Sequence, residues 1–567
     1  MPMLERIRRS RFVGLVRPFL QSERRRRASI MLGVLIASLL ALSGLNVVSS
    51  YVNRDVMTAL AERHSERFAV MAALWLGVFA VITTVAVFYR FTEERLALYW
   101  RDWMTAQLVD RYLADRRFYV INEMHVIDNP DQRISEDVRT FTVTTISLML
   151  ILLNSTITFV AFIGVLWAIT PWLVLGALLY AATGTGLTLL IGRRLVSLNN
   201  RQYAVEADLR YDLARVREHA EPLALLDGNR GIEQRLRRGL TAVVGNLRTI
   251  IGVNRNLGFS TTAFGYLTPV IPVLIVAPSF LRGEVEFGVV TQAAIAFAQV
   301  LGAFSLAITN FGQLSSLAAV IDRLSTLTDS LDHPPPISTD DLEIVETPDR
   351  WACERLTLYA MGGQRTAIEE MTFENSVGKR LLVMGPKGVG KTELFGAVAG
   401  LHATGKGRIG RPSDAVFLPL RPYYPPGTLR EIMTDFDSSS SSDERIAELL
   451  HLVGFGVVGD VRRMLDENAD WTKRLSPRDL QAVSVVRLLL RRPRWAFMNG
   501  VVTPLAPPQR EQVYLLLDEV EITYVTFADD MECARFHDRI LHIEGGGRWR
   551  LEERGRAVIP SRGTRTS

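Results

Sequence analysis

The stretch Gly385-Pro386-Lys387-Gly388-Val389-Gly390-Lys391-Thr392 sets three glycines, a lysine and a hydroxyl at the spacing that seats a polyphosphate. The glycines let the backbone curl so that successive N–H groups face one phosphate. Lys391 is then placed to reach the β and γ phosphates, and Thr392 offers its hydroxyl to Mg²⁺. That chemistry needs a strand before the loop and a helix after it. Arg380-Leu381-Leu382-Val383-Met384 reads as the strand, and the apolar run after Thr392 reads as the helix. The expected ligands are therefore ATP, with Mg²⁺ at Thr392. Only Cys353 and Cys533 occur, so neither a disulfide framework nor a paired-cysteine metal site can be built.

The elements that must hold this loop belong to the second half of the chain. Short β-rich runs at 355–360 and 372–374 precede the 380–384 strand, and helical stretches alternate with strands afterwards, which predicts an α/β domain over 342–567. A Ser/Asp tract at 436–443 reads as a flexible surface loop. Asp332-His333-Pro334-Pro335-Pro336, followed by polar residues, cannot continue a helix, and 332–341 is read as the linker.

Residues 1–331 read differently. A hydrocarbon core about 30 Å thick needs roughly 20 apolar residues per helical crossing. Six runs meet that length, near 29–52, 68–89, 145–169, 172–192, 257–281 and 288–310. Nine arginines in 1–27, eight in 90–140 and twelve in 193–256, against three in 53–67, put the N-terminus in the cytoplasm. Six crossings return the chain there for its second half. The long stretches between runs two and three and between four and five have helical apolar spacing, with Leu96, Trp100, Trp103 and Met104 as packing positions on helices projecting below the membrane. Pro130, after Asn129, suits the first turn of a helix.

Composition agrees with an integral membrane chain. Apolar residues make up 48% and charged residues only 22%, which excludes disorder, and a formal charge of +5 over 567 residues is too small and too dispersed for a nucleic-acid binder. Arginine predominates over lysine, of which there are five.

Several stretches carry a specific resemblance: 129–137, Ala318-Ala319-Val320-Ile321-Asp322-Arg323-Leu324, the phosphate loop, Phe417-Leu418-Pro419-Leu420-Arg421-Pro422-Tyr423, and 487–495. Through them the chain resembles half-size ABC transporters, and among these the bacterial branch that handles vitamin B12, hydrophilic solutes and peptides, related to the BacA/SbmA proteins. The resemblance implies a six-helix transmembrane domain followed by a P-loop nucleotide-binding domain. It also implies a homodimer or heterodimer of half-transporters in the lipid of a bacterial inner membrane, with both termini cytoplasmic and two ATP molecules between opposed soluble domains.

Measured against that family, the positions that act on the phosphate depart. Leu420 stands where a glutamine helps hold Mg²⁺ and the attacking water. Asn499 and Gly500 stand where an Asp-Glu pair supplies a metal carboxylate and the catalytic base. The signature loop that clamps the partner's γ-phosphate reads Leu475-Ser476-Pro477-Arg478-Asp479, in which Pro477 lacks an N–H and Asp479 adds negative charge. No switch histidine follows the strand at 524–528, and His537 lies too far along, although Asp529 or Asp530 would be placed to approach a metal. The resemblance therefore implies an ATP-binding transporter subunit for a hydrophilic solute or peptide with impaired hydrolysis. Two alternatives stay open: a proton-driven carrier with a structural soluble domain, using acids such as Glu93, Glu94, Glu136, Glu284 or Glu286, and a non-transporting membrane scaffold.

Overall fold

The computed structural model describes residues 2–123, 126–225, 229–309, 311–333, 341–360, 365–401, 404–434, 442–456, 461–529 and 531–554. The chain divides into two compact units, Met1–His333 and Pro334–Ser567. Most of the expected linker, and the Ser-rich tract as far as 441, fall outside the described residues.

The first unit is helical. Its main elements are α1 (Pro2–Gln21), α2 (Arg25–Ala61), α3 (Ser65–Leu113), α4 (Val138–Ile169), α5 (Pro171–Glu218), α6 (Asn229–Leu267), α7 (Val270–Leu281), α8 (Phe287–Thr309) and α9 (Phe311–Asp332). Among the described residues five helical stretches are long and apolar enough to cross a membrane: Arg25–Ala61, Ser65–Glu123, Pro130–Ile169, Arg230–Leu281 and Phe287–Ser305. The fourth expected span, 172–192, lies on α5, a continuous helix whose start, Pro171–Leu187, is apolar. The fifth is broken between α6 and α7 at Thr268-Pro269, where proline removes a helical N–H.

α3 runs straight on past its apolar part, and there Leu96, Trp100 and Met104 are buried as packing residues. Trp100 stacks on Phe19 of α1 at 5.2 Å between ring centroids and meets Phe141 of α4 edge-on at 5.3 Å. The turn before α4 begins at Pro130 after a left-handed Asn129 (φ 49°), as the proline placement predicts.

The second unit is α/β. One sheet joins β1 (Leu342–Thr347), β2 (Arg350–Tyr359), β3 (Thr366–Ser376) and β5 (Gly405–Pro412) in the order β1-β5-β2-β3. The larger sheet holds β4 (Leu381–Met384), β6 (Ala415–Leu418), β7 (Trp495–Asn499), β8 (Thr523–Ala528), β9 (Arg539–Ile543) and β10 (Trp549–Glu553), in the order β10-β9-β4-β8-β7-β6. Every pairing from β9 to β6 is parallel, and β10 alone runs antiparallel. The helices that pack on it include α10 (Lys391–Ala399), α11 (Asp443–Val453), α12 (Pro477–Arg491) and α13 (Pro507–Glu519).

A parallel sheet covered on both faces needs strands that are apolar on both. β7 meets that demand. Trp495 and Phe497 join one core with Trp351, Phe395 and Phe527, while Ala496 and Met498 join another with Val483, Val486 and Leu517. Phe497 stacks on Phe417 of β6 with centroids 4.8 Å apart. The consequence is a rigid set of parallel strand ends, all of whose carboxyl termini open on one edge.

Candidate nucleotide site

In open α/β sheets the crevice at the carboxyl ends of the strands is where ligands bind. Along that edge the order β9-β4-β8-β7-β6 brings together, in space, the phosphate loop after β4, Asp529 after β8, Asn499 and Gly500 at the end of β7, and Leu420 two residues past β6. Lys391 and Asp529 are 138 residues apart in sequence, and the strand order makes them neighbours.

The loop from Gly385 to Gly390 leads directly into α10, with Gly390 as N-cap and Lys391 and Thr392 in the first turn. Gly385 is required by close approach: a Cβ there would come within 2.2 Å of the Ile543 carbonyl oxygen on β9. The loop thus hugs the sheet and leaves its outer face open, a cradle that suits a phosphate. Lys391 folds back over it. Its ammonium donates to the carbonyls of Gly385 and Pro386, the latter at 2.9 Å, and pairs with the Asp529 carboxylate at 2.9 Å. An ammonium has three donors, and these three acceptors use them. Thr392 is exposed beside it. Among the described residues no cluster of three or more His, Cys, Asp or Glu side chains could hold a metal. Asp530 lies outside the described residues.

At the neighbouring strand ends the contacts are apolar. Gly500 has φ +65°, and a Cβ built on it would meet Leu420 Cδ1 at 2.4 Å. Leu420 therefore covers the space into which a side chain at 500 would emerge. The backbone on both sides is pinned: Gly500 N–H donates to Phe527 O at 3.0 Å, and the Gln481 amide donates to Leu420 O at 2.8 Å.

The segment 475–479 folds as a capped helix start. Ser476 is the N-cap of α12 and accepts the Asp479 N–H at 3.2 Å, with Pro477 at the first position, where a missing N–H costs the helix nothing. Asp479 differs from the expectation of a charge facing phosphate. It turns inward, accepting from the Ser476 hydroxyl at 2.6 Å and from the Gly456 N–H at 2.8 Å. Arg478 donates to the Gly454 carbonyl at 3.0 Å. Ser476 and Asp479 are thus satisfied within the helix start, whereas the buried Arg478 Nε has no hydrogen-bond partner among the described residues.

His537 is buried in the core of the soluble unit. Its Nδ1 lies 2.8 Å from the Cys533 carbonyl, which can only accept, so Nδ1 carries the proton and Nε2 accepts from the Thr526 hydroxyl at 2.9 Å. Burial pushes its pKa down to about 4. It is a neutral packing residue beside Tyr514 and Tyr524.

In the membrane unit, Arg323 on α9 grips Asp137 with two hydrogen bonds of 2.7 and 2.6 Å, and the Asp137 side chain is only 4% exposed. Arg133 adds a bond to the Arg323 carbonyl at 3.0 Å. These groups come from two of the stretches that carry the family resemblance. Of the acids named for proton transfer, Glu93 and Glu94 line a cavity of about 960 Å³ together with Arg90, Arg101 and Arg139. Glu284 instead pairs with Arg282 at 2.6 Å, Glu286 accepts from Thr58 at 3.2 Å, and Glu136 lies 3.6 Å from Arg139.

Several apolar helices followed by an α/β unit with a phosphate-type loop at the carboxyl edge of a parallel sheet define the architecture of a transporter half of the ATP-binding-cassette class. Comparison with known proteins agrees: residues 15–281 match the family ABC transporter transmembrane region 2. The chain is 32% identical to ABC transporter D family member 2, chloroplastic, of Arabidopsis thaliana, over 96% of this chain and 88% of that one. It is 26% identical to the human lysosomal cobalamin transporter ABCD4, over 87% and 88%. It is 25% identical to the inner membrane ABC transporter ATP-binding protein YddA of Escherichia coli, over 91% and 93%. The chain belongs to the half-size ABC transporters of the D-family type.

Proposed function

We propose that this chain is one of two subunits of a transporter that moves a hydrophilic solute or peptide across a bacterial inner membrane, binding ATP at Gly385–Thr392 while hydrolysing it poorly. In this reading residues 1–331 form six spans with both termini cytoplasmic, 332–341 link them to the soluble domain, and 342–567 form a nucleotide-binding domain of reduced chemistry. Cobalamin is a candidate solute, since one relative is named for it, and the cavity beside Glu93 and Arg139 would suit a polar cargo.

The observation that carries the reading is the Leu420–Gly500 contact next to an intact phosphate loop. A leucine side chain offers no lone pair to a metal or a water, and its Cδ1 methyl, on a half-exposed side chain, stands where a Cβ at 500 would emerge. Bound nucleotide would supply the phosphates. What this chain contributes is the glycine cradle, the Lys391 ammonium and the Thr392 hydroxyl, which bind and orient them. Phosphoryl transfer depends on positioned charge, and single supporting groups are worth roughly 10²–10³ in rate. Here several are replaced together. Calorimetry on the full chain in lipid nanodiscs tests the binding half: nucleotide should bind with modest affinity and Lys391→Ala should abolish it. Equal behaviour of the two proteins, or no binding at millimolar nucleotide, would refute it.

A further inference from the structure

Asp529 pairs with the lysine of the phosphate loop, and it sits at the end of β8, beside β4. Its carboxylate lies 2.9 Å from the Lys391 ammonium, whose side chain is 12% exposed, while its own is 53% exposed. We propose that Asp529 makes this seat selective for nucleoside diphosphate over triphosphate, an inference that rests on the nucleotide reading of the loop.

Lys391 has three donors, two of them spent on the Gly385 and Pro386 carbonyls of its own loop. Those two bonds tie the lysine to the cradle. The third donor is the one an incoming phosphate must take, and Asp529 already holds it. A carboxylate here is a stand-in for a phosphate oxygen: same charge sign, same acceptor geometry, same partner. A diphosphate engages the loop N–H groups and the base of α10 and meets Asp529 only at its end. A triphosphate carries its last group and an added negative charge toward the carboxylate. Like charges a few ångströms apart in a half-exposed crevice cost on the order of tenfold in affinity after screening. Arginine does not relieve this at the strand end itself: residues 523–529 contain none.

The contact also separates two roles for Asp529. As a phosphate rival it weakens triphosphate binding. As a metal ligand it would strengthen Mg²⁺-bound triphosphate instead. Removing its charge moves the two cases in opposite directions.

The test is titration of ADP and ATP, each with Mg²⁺ and with chelator, into full-length protein in nanodiscs, for wild type, Asp529→Asn, Asp529→Ala and Lys391→Ala. Wild type should bind ADP about tenfold more tightly than ATP, and both Asp529 variants should bring the two affinities within about threefold by tightening ATP. The Ala variant guards against an asparagine that keeps a hydrogen bond to Lys391, and unchanged thermal midpoints show that the fold is kept. An unchanged ADP-to-ATP ratio overturns the proposal while leaving the loop a nucleotide seat. Weaker Mg²⁺-ATP binding in the variants also overturns it, in favour of the metal role. No binding by any of the four proteins overturns the nucleotide reading and the proposal together.

Discussion

The joint between Asp137 and Arg323 in the membrane unit and the edge formed by Leu420 and Gly500 in the soluble unit are comparable: each is a meeting of segments distant in sequence. At the first, a buried carboxylate has its guanidinium fork, with two bonds under 2.8 Å. At the second, a leucine side chain rests on a left-handed glycine. The membrane joint depends on charges being present. The soluble edge rests on apolar packing instead, because the strand beneath it is held by Trp495, Phe497 and Met498. Folding of the α/β unit and phosphate chemistry on its edge are therefore separable, since nothing in the core requires an acid at 499 or 500.

Breaking the membrane joint should have the largest effect. Arg323→Ala would leave Asp137 buried without its partner, which costs about 3 kcal/mol in such pairs, the exposed flank of Arg323 tempering it. Thermal unfolding in nanodiscs should show a clear drop, and Asp137→Asn, which removes the buried charge, should lose less. Equal losses would mean that the charge is not what matters there.

Acid should separate the two units. His537 is held neutral, with its pKa lowered from 6.5 to about 4, so between those values the unfolded chain binds a proton that the folded chain does not. Stability from this group is full above about pH 6.5 and falls as pH drops toward 4, by roughly 2–3 kcal/mol at most. Unfolding of the soluble unit, followed by Trp495 and Trp471 fluorescence, should steepen in that window, and His537→Gln should flatten it. A pH-independent midpoint would show that His537 is not buried neutral.

Gly500→Glu is the smallest of the structural perturbations. The new side chain must adopt φ +65° and displace Leu420, at about 1–2 kcal/mol. It should destabilise without raising ATPase activity, and pairing it with Leu420→Gln leaves the backbone strain at 500 in place, so turnover should stay at background. A gain of turnover by the single variant would show that Leu420 does not obstruct the site.

Much of this was legible in the sequence, and the residues say why. The glycine spacing of 385–390 announces a phosphate loop because its strand and helix are contiguous with it, and local chemistry is what sequence carries best. Leu420 and Gly500 are each readable as departures, but their contact is not, since it depends on β6 and β7 being paired in the larger sheet. The same holds for Lys391 and Asp529, which β4 and β8 bring side by side. Asp479 was legible as a charge and not as an inward one, because its partners Ser476 and Gly456 are set by how α12 packs.

On the proposed function this chain keeps a phosphate seat and lacks, among the described residues, the groups that turn over what sits there. The most direct test is phosphate release from purified full-length protein in lipid nanodiscs, with Lys391→Ala as the blank. Release indistinguishable from the blank is the predicted result. Turnover of about 1 s⁻¹ or more, ordinary on the enzyme scale, and absent from the Lys391→Ala protein, would contradict it.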